Sequence, residues 1–172
     1  MASDRPGRPP HEEMVDLIDD SDRLLGRASR AEVRARNLLH RSVAIFVRRT
    51  NGLIHVHRRS AAKDVYPGLY DMCVGGVVSS GETYGQAAVR ELSEELGIFG
   101  VRPLELFQHP YRGARIRCLS SVYEVNWDGD IRLQTSELAW GDWMAIEDVD
   151  ARLAVWEFMP DSLEMYRHYR QR

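Results

Sequence analysis

Residues 76–98, GVVSSGETYGQAAVRELSEELGI, constrain this chain most, because they ask for a helix that carries its acids at the unfavourable end. From Thr83 to Leu96 the apolar residues Ala88, Val89, Leu92 and Leu96 recur at helical spacing, and Gly97 follows as a C-terminal stop. One face therefore seeks a core. At about 100° per residue, Glu91, Glu94 and Glu95 share a ridge beside that face. The last turn of a helix is its negative end, and Glu91 and Glu95 are a like-charged i,i+4 pair, so each costs roughly a few tenths of a kcal/mol. A hard divalent cation removes both costs, since Mg²⁺ takes oxygen ligands from carboxylates, waters and substrate phosphates together. A charge run by itself more often marks a solvated face.

The flanking residues reverse that preference. Arg90 is placed to hold Glu94 or to pair with Glu82, one turn before the helix. Gly75, Gly76 and Gly81 are read as a loop whose backbone approaches a ligand closely. Gly76, Glu82, Arg90, Glu91, Leu92, Glu94, Glu95, Gly97 and Ile98 fit the pattern G-x5-E-x7-R-E-U-x-E-E-x-G-U without a substitution, U being aliphatic. Chance supplies such a match in roughly one chain of this length in 10⁷. The stretch thus resembles the box of the Nudix hydrolases.

A length of 172 residues suits one domain, here 12–172, preceded by a Pro-, Arg- and Gly-rich tail over 1–11 that reads as disordered. No apolar run is long enough to span a membrane and no leader is visible, which leads to the expectation of a cytoplasmic protein. Cys73 and Cys118 are too few and too far apart for a disulfide framework or a zinc site. The net charge of −3 hides an asymmetry: residues 23–67 hold eleven basic and two acidic residues, while 68–172 hold ten and seventeen. That division suits an anionic small molecule gripped by cations on one side and by a metal on the other; a nucleic-acid binder would be basic overall. Nothing in the sequence speaks to an oligomeric partner.

In chain order, Glu13–Ile18 and Arg23–Arg27 read as a hairpin, and Ser29–Glu32 has the form of a capping box opening a short basic helix. Arg41–Arg49 and Leu53–Arg59, joined by Thr50-Asn51-Gly52, read as a second hairpin. His40 reads as a satisfied capping or core histidine rather than a ligand, and His55 and His57 as strand-edge residues. Arg59 and Lys63 stand four apart just before the glycines, where a solvated basic loop and a phosphate grip are equally good readings. Later strands are expected over Pro103–His109 and Ile116–Asn126, a loop feeding a short strand over Thr135–Trp143, and helices from Ile146 and Pro160. Glu137, in that loop, reads more readily as a solvated acid than as a catalytic one.

The resemblance implies more than periodicity does. It implies an α/β/α sandwich around a mixed β-sheet and a Mg²⁺-dependent (or Mn²⁺-dependent) hydrolase. That enzyme would cleave a phosphoanhydride in a nucleoside di- or triphosphate, or in a nucleoside diphosphate linked to another group. By resemblance, Glu91, Glu94, Glu95 and the Gly76 carbonyl hold metal, Glu94, Glu91 or Glu137 acts as base, Arg90 and Glu82 position the carboxylates, and Arg59 and Lys63 bind phosphate. Residues 13–100 further resemble the branch similar to type I isopentenyl diphosphate isomerases. There the isomerase cysteine falls on Gly75 and its metal-binding histidine on Val77, both departures from isomerase chemistry. A non-catalytic nucleotide-binding module is the remaining alternative.

Overall fold

The strand from His40 to Arg48 is buried continuously from Val43 to Val47, and the fold is built outward from it. The computed structural model describes residues 13–172, so the tail read as disordered over 1–11 lies outside the described residues. The elements run β1 (Met14–Ile18), β2 (Leu24–Ser29), α1 (Arg30–Arg36), β3 (His40–Arg48), β4 (Ile54–Arg59), β5 (Tyr70–Asp71), β6 (Val74–Val77), α2 (Tyr84–Leu96), β7 (Leu104–Arg112), β8 (Arg117–Asn126), β9 (Leu138–Met144), α3 (Ile146–Arg152) and α4 (Pro160–Tyr169). β3 lies parallel to β8 in register from His40↔Cys118 to Arg48↔Asn126, and antiparallel to β6 over Ser42–Ile45.

That placement explains the apolar run in β3. Side chains alternate between faces of a strand, and both faces of this one are covered. Val43, Ile45 and Val47 pack with Ala88, Leu92 and Leu96 of α2. Ala44 and Phe46 pack on the other side with Val149 of α3 and with Met165 and Tyr166 of α4. The result is the expected mixed sheet between helical layers.

Several local expectations change. β3 and β4 pair only at Arg48↔Ile54, so the anticipated hairpin is pinched at its turn and splays. The edge of β3 at Ser42–Ile45 is taken by β6, and β4 pairs instead with β9 and β5. His55 and His57 are consequently interior rather than at an edge, their rings 5.9 Å apart. Gly75 and Gly76 are not in a loop but on β6, opposite Ala44 and Val43. A Cβ on Gly75 would lie 2.9 Å from the Val43 carbonyl carbon, so the two backbones meet where only glycine fits. β7 continues through Pro110 to Arg112, which is possible because, among the described residues, β7 pairs with β8 alone and its other edge needs no donor there.

Candidate active site

Thr83 caps α2, accepting from the Gln86 amide while the Gln86 side chain accepts from the Thr83 amide, and Gly97 ends the helix at φ 66°. The buried residues are Ala87, Ala88, Glu91, Leu92, Glu95 and Leu96, whereas Val89 is 40% exposed. With Glu91 at zero, that buried arc runs from about −40° to about 140°. The core face is therefore rotated from the one the apolar spacing suggests. Two carboxylates, Glu91 and Glu95, lie inside the arc rather than beside it.

Two features make room for them. Gly76 faces Glu91 across the helix–strand interface, where a Cβ would stand 2.8 Å from the Glu91 carboxyl carbon and closer still to its Oε1. Arg90 then gathers the acids. Its Nε donates to Glu82 Oε1 at 2.9 Å, its Nη1 to Glu91 Oε1 at 2.6 Å and to Glu94 Oε2 at 3.2 Å, and its Nη2 to Glu82 Oε2 and the Val77 carbonyl, each at 3.0 Å. Glu82 also accepts from the Ser79 amide, tying the loop after β6 to the helix.

A cleft of about 660 Å³ opens over this ridge, lined by Gly76, Glu91, Glu94 and Glu95 on one side and by Arg30, Lys63 and Glu137 on the other. Lys63 is ion-paired with Glu137, so Glu137 is a partly buried, partnered acid rather than a solvated one. Arg59 is placed differently from expectation. Its guanidinium donates to the Val65 and Tyr66 carbonyls, and it lines an adjoining inner chamber rather than the cleft. Arg30, the first residue of α1, lines both spaces and is bonded to Glu13. Sequence reading passed over it because 61 positions separate it from Glu91; the basic excess of 23–67 was the only signal.

The electrostatics favour a cation beside the ridge. Burial, and then the neighbouring Glu91 charge, push Glu95 up to about 8; burial also raises Glu91, against the pull of Arg90. Among the described residues no three His, Cys, Asp or Glu side chains are already arranged to enclose a metal ion. Arg90 engages Glu91 and Glu94 from one side, leaving a half-built platform. Mg²⁺ fits such a donor set, because it takes hard oxygens and usually completes its shell with water and substrate phosphate. Two adjacent buried carboxylates that hold protons tightly are groups a divalent cation would stabilise.

Comparison with known proteins agrees with this geometry. The NUDIX domain family matches residues 38–168. An uncharacterized Nudix hydrolase of Streptomyces coelicolor is 44% identical over 161 residues, covering 92% of this chain and 89% of that protein. One from Rhodococcus erythropolis is 37% identical over 172 residues, covering 93% of each. A crystal structure from Deinococcus radiodurans superposes with a TM-score of 0.79 at 30% identity, over 91% of this chain and 98% of that one. The NUDIX domain of Shewanella oneidensis NrtR, complexed with ADP ribose, shares the fold with a TM-score of 0.59 at 18% identity, over 84% and 98%.

Proposed function

The chain belongs to the Nudix hydrolase family, and we propose that it is a Mg²⁺-dependent pyrophosphohydrolase acting on a nucleoside di- or triphosphate or on a nucleoside diphosphate linked to another group. The observation that carries this reading is the meeting of Glu91, Glu94, Glu95 and Gly76 with Lys63 and Glu137 across one cleft. Residues 12–172 are taken as one domain, in a cytoplasmic protein that needs no nucleic acid or membrane. Among the described residues no helix is long and apolar enough to cross a membrane.

Glu91, Glu94, Glu95 and the Gly76 carbonyl would hold the metal, with Mn²⁺ as the substitute. When bound, it supplies Lewis acidity that offsets charge developing on the phosphates and favours ionisation of a water. Arg90, fixed by Glu82, orients the helix carboxylates. Lys63 exchanges Glu137 for a phosphate oxygen, and Arg59 adds positive charge from the inner chamber. Water forms the new bond to phosphorus as the anhydride P–O bond breaks and its electrons leave with the departing phosphate. Its proton passes to Glu137, once released from Lys63, or to Glu94 or Glu91.

A second reading, isomerase-like proton transfer, draws on Cys73 lining the inner chamber. Burial pushes that thiol well up, away from the thiolate. The test is a panel of nucleotides and isopentenyl diphosphate with and without Mg²⁺, reading phosphate and nucleoside monophosphate release and formation of the allylic isomer. Metal-dependent release that is lost in Glu95→Gln is the expected result. No hydrolysis of any member would leave a binding module, and isomer formation would establish the second reading.

A further inference from the structure

Residues 60–69, between β4 and β5, carry Lys63 to the rim of the cleft. The loop is closed at its base by the Arg59 amide, which donates to the Leu69 carbonyl at 2.9 Å, and the Ser60 amide donates to the Glu137 carbonyl at 2.8 Å. Its far half is held by side chains of β4. Arg58 Nε donates to the Gly68 carbonyl at 2.9 Å, while Arg59 donates from Nε to the Tyr66 carbonyl at 3.1 Å and from Nη2 to the Val65 carbonyl at 2.9 Å. The two carbonyls taken by Arg59 flank a backbone conformation that needs holding. Tyr66 sits at φ 50°, where an aromatic residue is rarely found, and the Pro67 that follows restricts it further.

Val65 packs with Tyr111, Ile116 and Met159, but apolar packing has no direction and does not fix where the Val65 carbonyl points. The guanidinium does, because its donors form a rigid fork. Were Arg59 to turn toward a phosphate in the cleft, both carbonyls would lose their donor, and an unmet carbonyl beside the buried Val65 side chain is costly. Arg59 is thus already engaged, whereas Lys63 has an acid partner that it can exchange.

We propose that Arg59 is a positioning residue rather than a phosphate ligand: by holding the Val65 and Tyr66 carbonyls it fixes the loop that stations Lys63 opposite the acidic ridge. It rests on the phosphate role proposed for Lys63, and the test keeps the two apart. A charge acting at a distance is supplied equally well by lysine, whereas a fork that holds two carbonyls is not. Arg59→Lys is therefore expected to behave like Arg59→Met.

The full-length protein and these two variants are compared by amide hydrogen exchange and by calorimetric titration with methylenediphosphonate in the presence of Mg²⁺. In both variants the amides of 60–69 are expected to exchange about 10-fold faster while the rest of the chain is unchanged. Binding of the diphosphonate is expected to weaken about 10-fold in Arg59→Lys, but less than about 2-fold when the same change is made in Lys63→Met, because Arg59 acts through Lys63. Normal exchange over 60–69 in Arg59→Lys, or an equal loss of binding with and without Lys63, would overturn the proposal. Should Arg59→Met not fold, as judged by circular dichroism, Arg59→Lys decides by the same readouts. A wild-type protein that does not bind the diphosphonate would overturn the phosphate role of Lys63, and exchange over 60–69 would still decide whether Arg59 holds the loop.

Discussion

The cleft and the chamber behind it use the same residue types to opposite effect. In the cleft, acids stay close to cations: Arg90 gathers Glu82, Glu91 and Glu94, and Lys63 holds Glu137. In the chamber, burial works against charge. It lowers His40 to about 4, raises Asp71 to about 7, and leaves Asp161 and His57 with unmet atoms. Solvation separates them. Paired charges line the cleft, ready for a metal and phosphates, while in the chamber burial opposes the charged forms of His40, His57, Asp71 and Asp161. Glu95 borders both, and it is the carboxylate whose proton affinity is raised most clearly on the ridge.

Glu95→Gln should therefore break the comparison most strongly. The expected loss in kcat/KM is about 10³-fold, since several kcal/mol of charge stabilisation are removed. Metal-free stability should hold or rise, because a buried carboxylate held against its own desolvation is gone. Urea midpoints measured beside the kinetics check this; a stability loss as large as the catalytic one would make Glu95 a packing residue.

Arg90→Met should leave Glu82 and Glu91 facing each other without compensation. With the Arg90 side chain 29% exposed, the cost is about 2–3 kcal/mol, below that of a fully buried pair. Mg²⁺ affinity, followed by calorimetry, is expected to fall about 10- to 100-fold because the carboxylates lose their positioning group. A loss of stability with metal affinity intact would confine Arg90 to structure.

The chamber side can be sharpened with pH. The folded His40 pKa is lowered to about 4 from 6.5, so its contribution is present above 6.5 and is lost as pH falls toward 4. At pH 5 the loss is about 2 kcal/mol by linkage. Asp71, raised to about 7, acts in the other direction, contributing below its unfolded value and losing that as pH rises through 7. His40→Gln should flatten the acid limb of a plot of urea midpoint against pH. An unchanged limb would mean that His40 is solvated or protonated in the folded protein.

The smallest effect belongs to the rim. A double-mutant cycle on Lys63→Met and Glu137→Gln, read from thermal midpoints, should give a coupling of about 1 kcal/mol, because both side chains are partly open to solvent. Hydrolysis should suffer more in Lys63→Met than stability does. Equal losses would make the pair a strap across the cleft rather than part of the phosphate site.

Much of this was legible in the sequence, and the reasons are local. The helix beginning at Thr83, the stop at Gly97, the acids at fixed spacing and the reach of Arg90 to Glu82 and Glu94 depend on a single helix and the turn before it. The β-rich run of β3, the first hairpin and the later helices follow from periodicity and turn chemistry in the same way. What escaped was set by partners distant in the chain. β6 occupies the edge of β3 and sends β4 to β9, which buries His55 and His57; no periodicity within β4 specifies that. The overlap a Cβ on Gly76 would make with Glu91 exists only because α2 lies on β6. Arg59, Lys63 and Glu137 were each visible as charged residues. Which of them reached the cleft, which turned into the chamber, and which paired together depended on how the loop after β4 folds against the loop before β9. The sequence by itself determined the helix, its acid ridge and the family they belong to, because these are short-range facts. Only tertiary packing decided that two of the ridge carboxylates are buried and that a second, smaller space adjoins the cleft, because burial is set by what the rest of the chain places against a residue.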